Sequence, residues 1–212
     1  MTNPPSQEQA IVVIIDDDED LREGLAALFR SVGLQVKQFA SAQEFLQAKL
    51  PDIPSCLVLD VRLPGLSGLE FQTDLAKAKI PTPIVFMTGH GDIPMTVRAM
   101  KAGAVEFLTK PFRDQDMLDA VQVAIERDRT RRKDESANRQ LKTSFDTLTA
   151  REQQIMSFVV AGLMNKQIAG EVELTEVTVK LHRGNVMRKM GAKSVAELVR
   201  MADTLGVRSD TA

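Results

Sequence analysis

The chain has 212 residues, 43% of them hydrophobic and 26% charged, with a formal net charge of −2, a composition ordinary for one or two soluble globular domains. Its single cysteine, Cys56, rules out an intrachain disulfide and a Cys-rich zinc site, and reads as a buried, inert thiol. The first ten residues are polar with two prolines and no apolar run approaches the roughly 18 residues of a membrane span, so a cytoplasmic protein with no membrane partner is expected.

Charge is unevenly spread. Acids outnumber bases over residues 1–125, and bases outnumber acids beyond. The window from Val177 to Lys193 holds Lys180, Arg183, Arg188, Lys189 and Lys193 and no acid. An acidic part followed by a basic patch predicts two domains with different partners.

In chain order, the apolar run Ile11 to Ile15 predicts a buried strand ending in the acids Asp16 to Asp20. A helix follows through Leu21, Leu25, Leu28 and Phe29, closed by Gly33. Leu34–Phe39 predicts a second strand, and Ser41 with Glu44 forms a capping box for a short helix to about Leu50. Cys56–Asp60 is a third strand running into the turn at Pro64 and Gly68. Leu69–Lys79 is then helical, Ile84–Thr88 a strand, Asp92–Lys101 a helix, Ala104–Thr109 a strand, and Asp114 opens a long helix. Five strands alternating with five helices predict an α/β, doubly wound parallel sheet.

In such a sheet the carboxyl ends of the strands share one edge, which is where open α/β sheets place ligands. Asp16, Asp17, Asp60, Thr88 and Lys110 should therefore converge. Clustered carboxylates stay ionised together only with a cation among them, and oxygen ligation with room for water suits Mg²⁺ better than zinc. A metal beside a lysine would bind a phosphoryl group. Asp18, Glu19 and Asp20 are adequately explained as acids at a helix N-terminus.

These residues carry a resemblance. Residues 11–125 resemble a response-regulator receiver domain, the CheY-like fold, which implies strand order 2-1-3-4-5. The resemblance implies Asp60 as phosphoacceptor, Asp16 and Asp17 as the acidic pair, Asp17 as a direct Mg²⁺ ligand, and the Arg62 carbonyl as a further ligand. It also implies that Thr88 bonds the phosphoryl group, Lys110 pairs with it, Phe107 is the aromatic switch, and Lys110–Pro111 is cis. Such a receiver is no enzyme beyond catalysing its own phosphorylation and dephosphorylation. A metal-dependent phosphatase of the aspartyl-nucleophile type needs the same residue types, but its pattern resembles one with a second acid two residues on. Arg62 stands there and cannot donate a proton at neutral pH. Thr88 to Phe107, TGHGDIPMTVRAMKAGAVEF, most resembles the FixJ-like regulators. His90 lies within it and is assigned no chemistry, because that family's phosphodonor histidine belongs to a separate kinase.

Apolar spacing ends near Ile125, and residues 126–147 read as a charged linker, either an exposed helix or a flexible tether. Residues 148–212 begin with a capping box at Thr149 and Glu152, and an amphipathic helix runs through Ile155, Met156, Val159 and Val160 to Gly162. A short helix Asn165–Val172, a tight turn and a helix Glu176–Met190 predict a helix-turn-helix, and Ser194 with Glu197 caps a last helix. On Glu176–Met190, Val179, His182, Val186 and Met190 should face the core, with His182 a hydrogen-bonded packing residue. The opposite stripe holds Val177, Lys180, Arg183, Gly184, Met187 and Arg188.

LTAREQQIM, GLMNKQIAGEV and TVKLHRGNVMRKM together look like the DNA-binding domain of the LuxR/NarL/FixJ family. The expected DNA-facing set is Thr178, Lys180, Leu181, Arg183, Gly184, Arg188 and Lys189. Gly184 departs from the family's longer side chain, so specificity must lean on Lys180, Arg183, their neighbours or DNA shape. The whole chain is thus expected to be a two-component regulator whose partners are a histidine kinase and double-stranded promoter DNA. A homodimer is expected on phosphorylation, through Asp92–Lys101 and Ala104–Thr109, with RNA polymerase a further partner this role allows. The alternative is a phosphorylation-dependent interaction module that acts without promoter DNA.

Overall fold

The computed structural model describes residues 9–89 and 91–207, so His90 lies outside the described residues, as do 1–8 and 208–212. The chain divides into two compact units, one ending at Arg132 and the other beginning at Lys133.

The first unit is built on β1 (Ile11–Ile15), β2 (Gln35–Phe39), β3 (Ser55–Asp60), β4 (Ile84–Thr88) and β5 (Glu106–Thr109). They form one sheet in the order β2-β1-β3-β4-β5, with every pairing parallel. The expected α/β doubly wound architecture is present. β1, β3 and β4 are buried along their whole length, which is why their sequences are unbroken apolar runs.

Side chains alternate between two cores. Val12, Ile14 and Val58 face one layer with Leu25, Ala26 and Phe29 of α1 (Glu19–Ser31) and Met117, Val121 and Ala124 of α5 (Asp114–Asp146). Val13, Ile15, Leu57 and Leu59 face the other layer. There they meet Phe45 of α2 (Ala42–Gln47), Phe71 and Leu75 of α3 (Gly68–Lys77) and Ala99 of α4 (Ile93–Lys101). The sheet reverses its winding between β1 and β3, where Ile15 pairs with Leu59, so Asp16 and Asp60 end adjacent strands.

The turn after β3 is tight. Gly68 N donates to the Val61 carbonyl at 2.9 Å, and Ser67 N donates to Glu70 Oε2 at 3.1 Å, which caps α3. A Cβ on Gly68 would stand 2.4 Å from the Asp60 carbonyl oxygen and 3.0 Å from Val61 Cα. Both are backbone atoms and cannot swing aside. Gly68→Ala is expected to cost about 2–3 kcal/mol of stability by forcing the turn off β3. Urea unfolding checks this; a loss below about 0.5 kcal/mol would show that the turn moves freely.

Element ends differ from the sequence reading by a few residues. α2 stops at Gln47 because Ala48 is already extended, and β5 begins at Glu106 instead of Ala104. Of the two readings of residues 126–147, an exposed helix or a flexible tether, the helix is the one observed, with α5 continuing to Asp146. Its early part is not simply a solvated charged face, because Asp128 is fully buried.

The second unit is helical. After the end of α5 come α6 (Ala150–Val160), α7 (Asn165–Glu171), α8 (Glu176–Met190) and α9 (Val195–Leu205). Its core joins Ile155, Met156 and Val159 of α6, Ile168 of α7, Val179, Val186 and Met190 of α8, and Leu198 and Ala202 of α9. Leu141 and Phe145 near the end of α5 pack against the same core. Glu173 takes a left-handed φ of 51° in the turn between α7 and α8. Among the described residues, no helix is long and apolar enough to cross a membrane.

Candidate functional site

The ends of β1 and β3 bring three carboxylates together. Asp16, Asp17 and Asp60 each offer an oxygen, and these atoms all lie within 4.8 Å of one another. Asp16 and Asp60 are buried and Asp17 is exposed, so the cluster has a closed side and an open one. This all-oxygen set fits a hard divalent cation that keeps part of its water shell.

Lys110, one residue past β5, reaches across the sheet edge. Its Nζ lies 2.8 Å from Asp16 Oδ2 and 2.8 Å from Asp60 Oδ2. Burial works to lower the lysine, but the two carboxylates outweigh it and hold the ammonium above its ordinary range. Burial pushes the Asp16 carboxyl up and Asp60 adds repulsion, against the opposing pull of Lys110. A second cation at the open side would favour the ionised cluster in the same sense as Lys110 does.

Backbone donors fix both carboxylates. Arg62 N donates to Asp60 Oδ1 at 3.1 Å, and Asp18 N donates to Asp16 Oδ1 at 2.9 Å. The Arg62 peptide is therefore held beside Asp60, while its side chain is exposed. Arg22 on α1 donates to the Asp16 carbonyl oxygen at 2.8 Å, a contact that α1's apolar spacing does not announce.

Thr88 is fully buried at the end of β4, and its carbonyl accepts from Lys110 N at 2.7 Å. The Lys110–Pro111 peptide is cis. Phe107 is turned inward against Phe86, with ring centroids 6.1 Å apart. A Cβ at Gly91 would stand 3.0 Å from the Phe107 ring and 3.2 Å from the Thr88 methyl, so the backbone there passes directly over both residues.

The second site is the outer face of α8. Lys180, Leu181, Gly184 and Arg188 are exposed on it. Thr178 sits in the N-terminal cap, its N donating to Thr175 Oγ1 at 3.2 Å. Arg183 is half-buried and donates to Asn165 Oδ1 of α7 at 3.0 Å, so it ties the two helices of the motif together. His182 differs from expectation: its Nδ1 is buried without a hydrogen-bond partner.

Lys189 turns away from the outer stripe. Its Nζ lies 2.6 Å from Glu152 Oε2, a buried carboxylate of α6, and donates to the Thr147 carbonyl at 3.0 Å. That contact, with the bond from Thr149 N, holds the Glu152 carboxyl below the usual carboxylate range. Lys189→Met is expected to cost about 1–3 kcal/mol, because it leaves Glu152 without its cation. Lys180→Met should leave stability within about 0.5 kcal/mol. Chemical unfolding of both variants checks the contrast, and equal losses would contradict it.

Residues 12–122 match the response regulator receiver domain family, and residues 146–202 match the family of bacterial regulatory proteins, luxR family. The chain is 59% identical over 202 residues to nodulation protein W of Bradyrhizobium diazoefficiens, covering 95% of this chain and 89% of that protein. It is 45% identical over 192 residues to transcriptional regulatory protein FixJ of Rhizobium meliloti, covering 90% and 94% respectively. The solved structure of response regulator StyR superposes with a TM-score of 0.83 at 49% identity, covering 92% of this chain and 98% of that one.

Proposed function

Since the chain belongs to the FixJ-like response regulators, with a receiver domain followed by a luxR-type DNA-binding domain, we propose that it is a transcriptional regulator switched on by phosphorylation of Asp60. The observation that carries this is the convergence of Asp16, Asp17, Asp60 and Lys110 on one sheet edge in a chain that also exposes a basic recognition helix. The receiver is assigned to residues 1–125, the helical connection to 126–147 and the DNA reader to 148–212.

The donor is a phosphohistidine of a histidine kinase. An Asp60 carboxylate oxygen attacks phosphorus, the P–N bond breaks, and the electron pair leaves with the imidazole, which takes a proton. The product is an acyl phosphate. Lys110 exchanges its contact with Asp60 Oδ2 for a phosphoryl oxygen, and the Thr88 hydroxyl donates to another. Phe107 follows the movement at the β4–β5 edge. Asp16, Asp17, Asp60 and the Arg62 carbonyl would hold Mg²⁺, which supplies neutralisation of the charge on the phosphoryl oxygens when bound.

Phosphorylation promotes pairing of two copies through α4 and β5. Ile93, Val97 and Met100 are exposed large apolar side chains on α4, which supports this face as the contact. Two copies present two α8 helices to a two-fold duplex site, with Lys180 and Arg188 on phosphates and base edges. Gel shift on duplex DNA, with and without phosphorylation by acetyl phosphate, tests the whole. Tighter duplex binding by the phosphorylated chain is expected. No duplex binding in either state would overturn it in favour of an interaction module that acts without promoter DNA.

A further inference from the structure

Asp17 is the exposed member of the carboxylate cluster, while Asp16 and Asp60 are buried. An exposed side chain has no surrounding wall to hold it, so its direction depends on the backbone that carries it. Peptides are planar, which leaves the two dihedrals at the Asp17 Cα to decide where its Cβ points. Both flanking peptides are tied down. The one before Asp17 is held at its oxygen, where Arg22 Nη1 donates to the Asp16 carbonyl at 2.8 Å. The one after it is held at its nitrogen, where Asp18 N donates to Asp16 Oδ1 at 2.9 Å.

Arg22 is the only base between Ile11 and Phe29, a stretch that carries the acids Asp16 to Asp20 and Glu23. Amid these carboxylates its guanidinium goes to a main-chain oxygen just past β1. Arg22 is itself anchored, because its N donates to the Asp18 carbonyl at 3.1 Å and Asp18 caps α1 by accepting from Leu21 N at 3.1 Å. Asp16 is pinned as well, its N donating to the Phe39 carbonyl at 3.3 Å and its Oδ2 accepting from Lys110. The segment from Asp16 to Arg22 is thus closed by contacts at both ends, with Asp17 inside it.

Resting on the metal-holding role of Asp16, Asp17 and Asp60 argued above, we propose that Arg22 is a positioning residue for the cation: by holding the Asp16 carbonyl it keeps the Asp17 carboxylate turned to the open side of the cluster. It touches neither the metal nor the phosphoryl group. Two effects of this one side chain oppose each other. A guanidinium beside a cation site repels the cation, whereas a carboxylate already fixed in place need not be ordered when the metal arrives. Groups that orient metal ligands commonly change affinity about 10- to 100-fold, while a partly exposed charge acts weakly through water and salt. Positioning therefore sets the sign, and losing Arg22 weakens cation binding although it removes a repelling charge.

The test follows amide chemical shifts of the full chain as Mg²⁺ is added, and labelling by acetyl phosphate read from intact mass. Arg22→Gln removes both reach and charge with a residue that suits a helix, so its circular dichroism should match the parent. Its Mg²⁺ affinity is expected to fall about 3- to 10-fold, below the usual range because water takes over part of the lost bond. Arg22→Lys keeps the charge and one donor and should lie between the two. Arg30→Gln, which removes the same charge from the last turn of α1, should stay within about 2-fold of the parent. In labelling, the Mg²⁺ midpoint of Arg22→Gln should rise by the factor seen in binding, with the rate at saturating Mg²⁺ restored to within about 2-fold of the parent. Loosening of the whole domain would not be rescued in this way. Mg²⁺ binding by Arg22→Gln as tight as the parent's, or tighter, overturns positioning and leaves the metal site standing. A lowered saturating rate with an unmoved midpoint also overturns it, and assigns Arg22 to the phosphodonor. No Mg²⁺ binding by the parent chain removes the metal-holding role and this proposal with it.

Discussion

Asp60→Asn is expected to reduce phosphoryl incorporation from acetyl phosphate or a kinase to background while the chain stays folded. The amide oxygen can keep the bond from Arg62 N, which now reaches Asp60 Oδ1 at 3.1 Å. The amide nitrogen then faces Lys110, a donor against a donor, and Lys110 retains Asp16 Oδ2 at 2.8 Å instead. One attractive contact is lost, but so is the repulsion between two neighbouring carboxylates. The net stability change should stay within about 1–2 kcal/mol. Chemistry is lost because an amide cannot form the acyl phosphate. Intact-mass measurement after incubation with acetyl phosphate and Mg²⁺ reads the result directly. Labelling undiminished in this variant would show that Asp16 or Asp17, within the same 4.8 Å cluster, accepts the phosphoryl group.

What was legible in the sequence follows from period and chain direction. Apolar runs ending in Asp16, Asp60 and Thr88 mark buried parallel strands, and parallel strands necessarily bring their carboxyl ends to one edge. The α8 stripe was legible for the same reason, since helical spacing alone places Val179, Val186 and Met190 inward. Contacts between distant segments were not. Lys189 lies close to the basic face on a helical projection, and nothing local shows that Glu152, a capping residue 37 positions earlier, would draw it inward. The buried Nδ1 of His182 is a similar case, because periodicity assigns a side chain to a face without assigning it a partner.

Asp128 is the farthest departure from local pattern. It stands in the run ERDRTRRKDESANRQ, which reads as a solvated charged helix, yet its carboxylate is fully buried. Oδ2 accepts from Ser55 N at 2.9 Å and Arg132 Nε at 2.7 Å, and Oδ1 accepts from Arg131 Nη2 at 2.6 Å. Arg132 also pairs with Asp52. Ser55 opens β3, the strand that ends in Asp60, so this carboxylate fastens α5 beyond Ile125 to the start of the central strand. The partner is 73 residues away, and only the folded sheet brings it near.

Asp128→Ala should therefore destabilise the first unit by about 2–4 kcal/mol. It strands the buried Ser55 N–H, while Arg131 and Arg132, each 27% exposed at the side chain, can turn partly to water. Asp128→Asn, which keeps an acceptor for Ser55, should cost less. The pH dependence has a definite sign. Burial alone would raise this carboxyl, but Arg132, Arg131 and Ser55 N outweigh it and hold it below the usual carboxylate range. A carboxyl depressed in the folded state stabilises fully above its unfolded value, about 3.9, and loses that contribution as pH falls through its folded value. The gap in unfolding free energy between the parent chain and Asp128→Ala should thus be constant from about pH 8 to pH 5 and narrow below about pH 4. Urea unfolding across that range measures it, with hydrogen exchange of residues 126–135 as a local readout expected to quicken in the variant. A gap that persists undiminished at low pH would mean that packing, and not the ionised carboxylate, anchors the helix to β3.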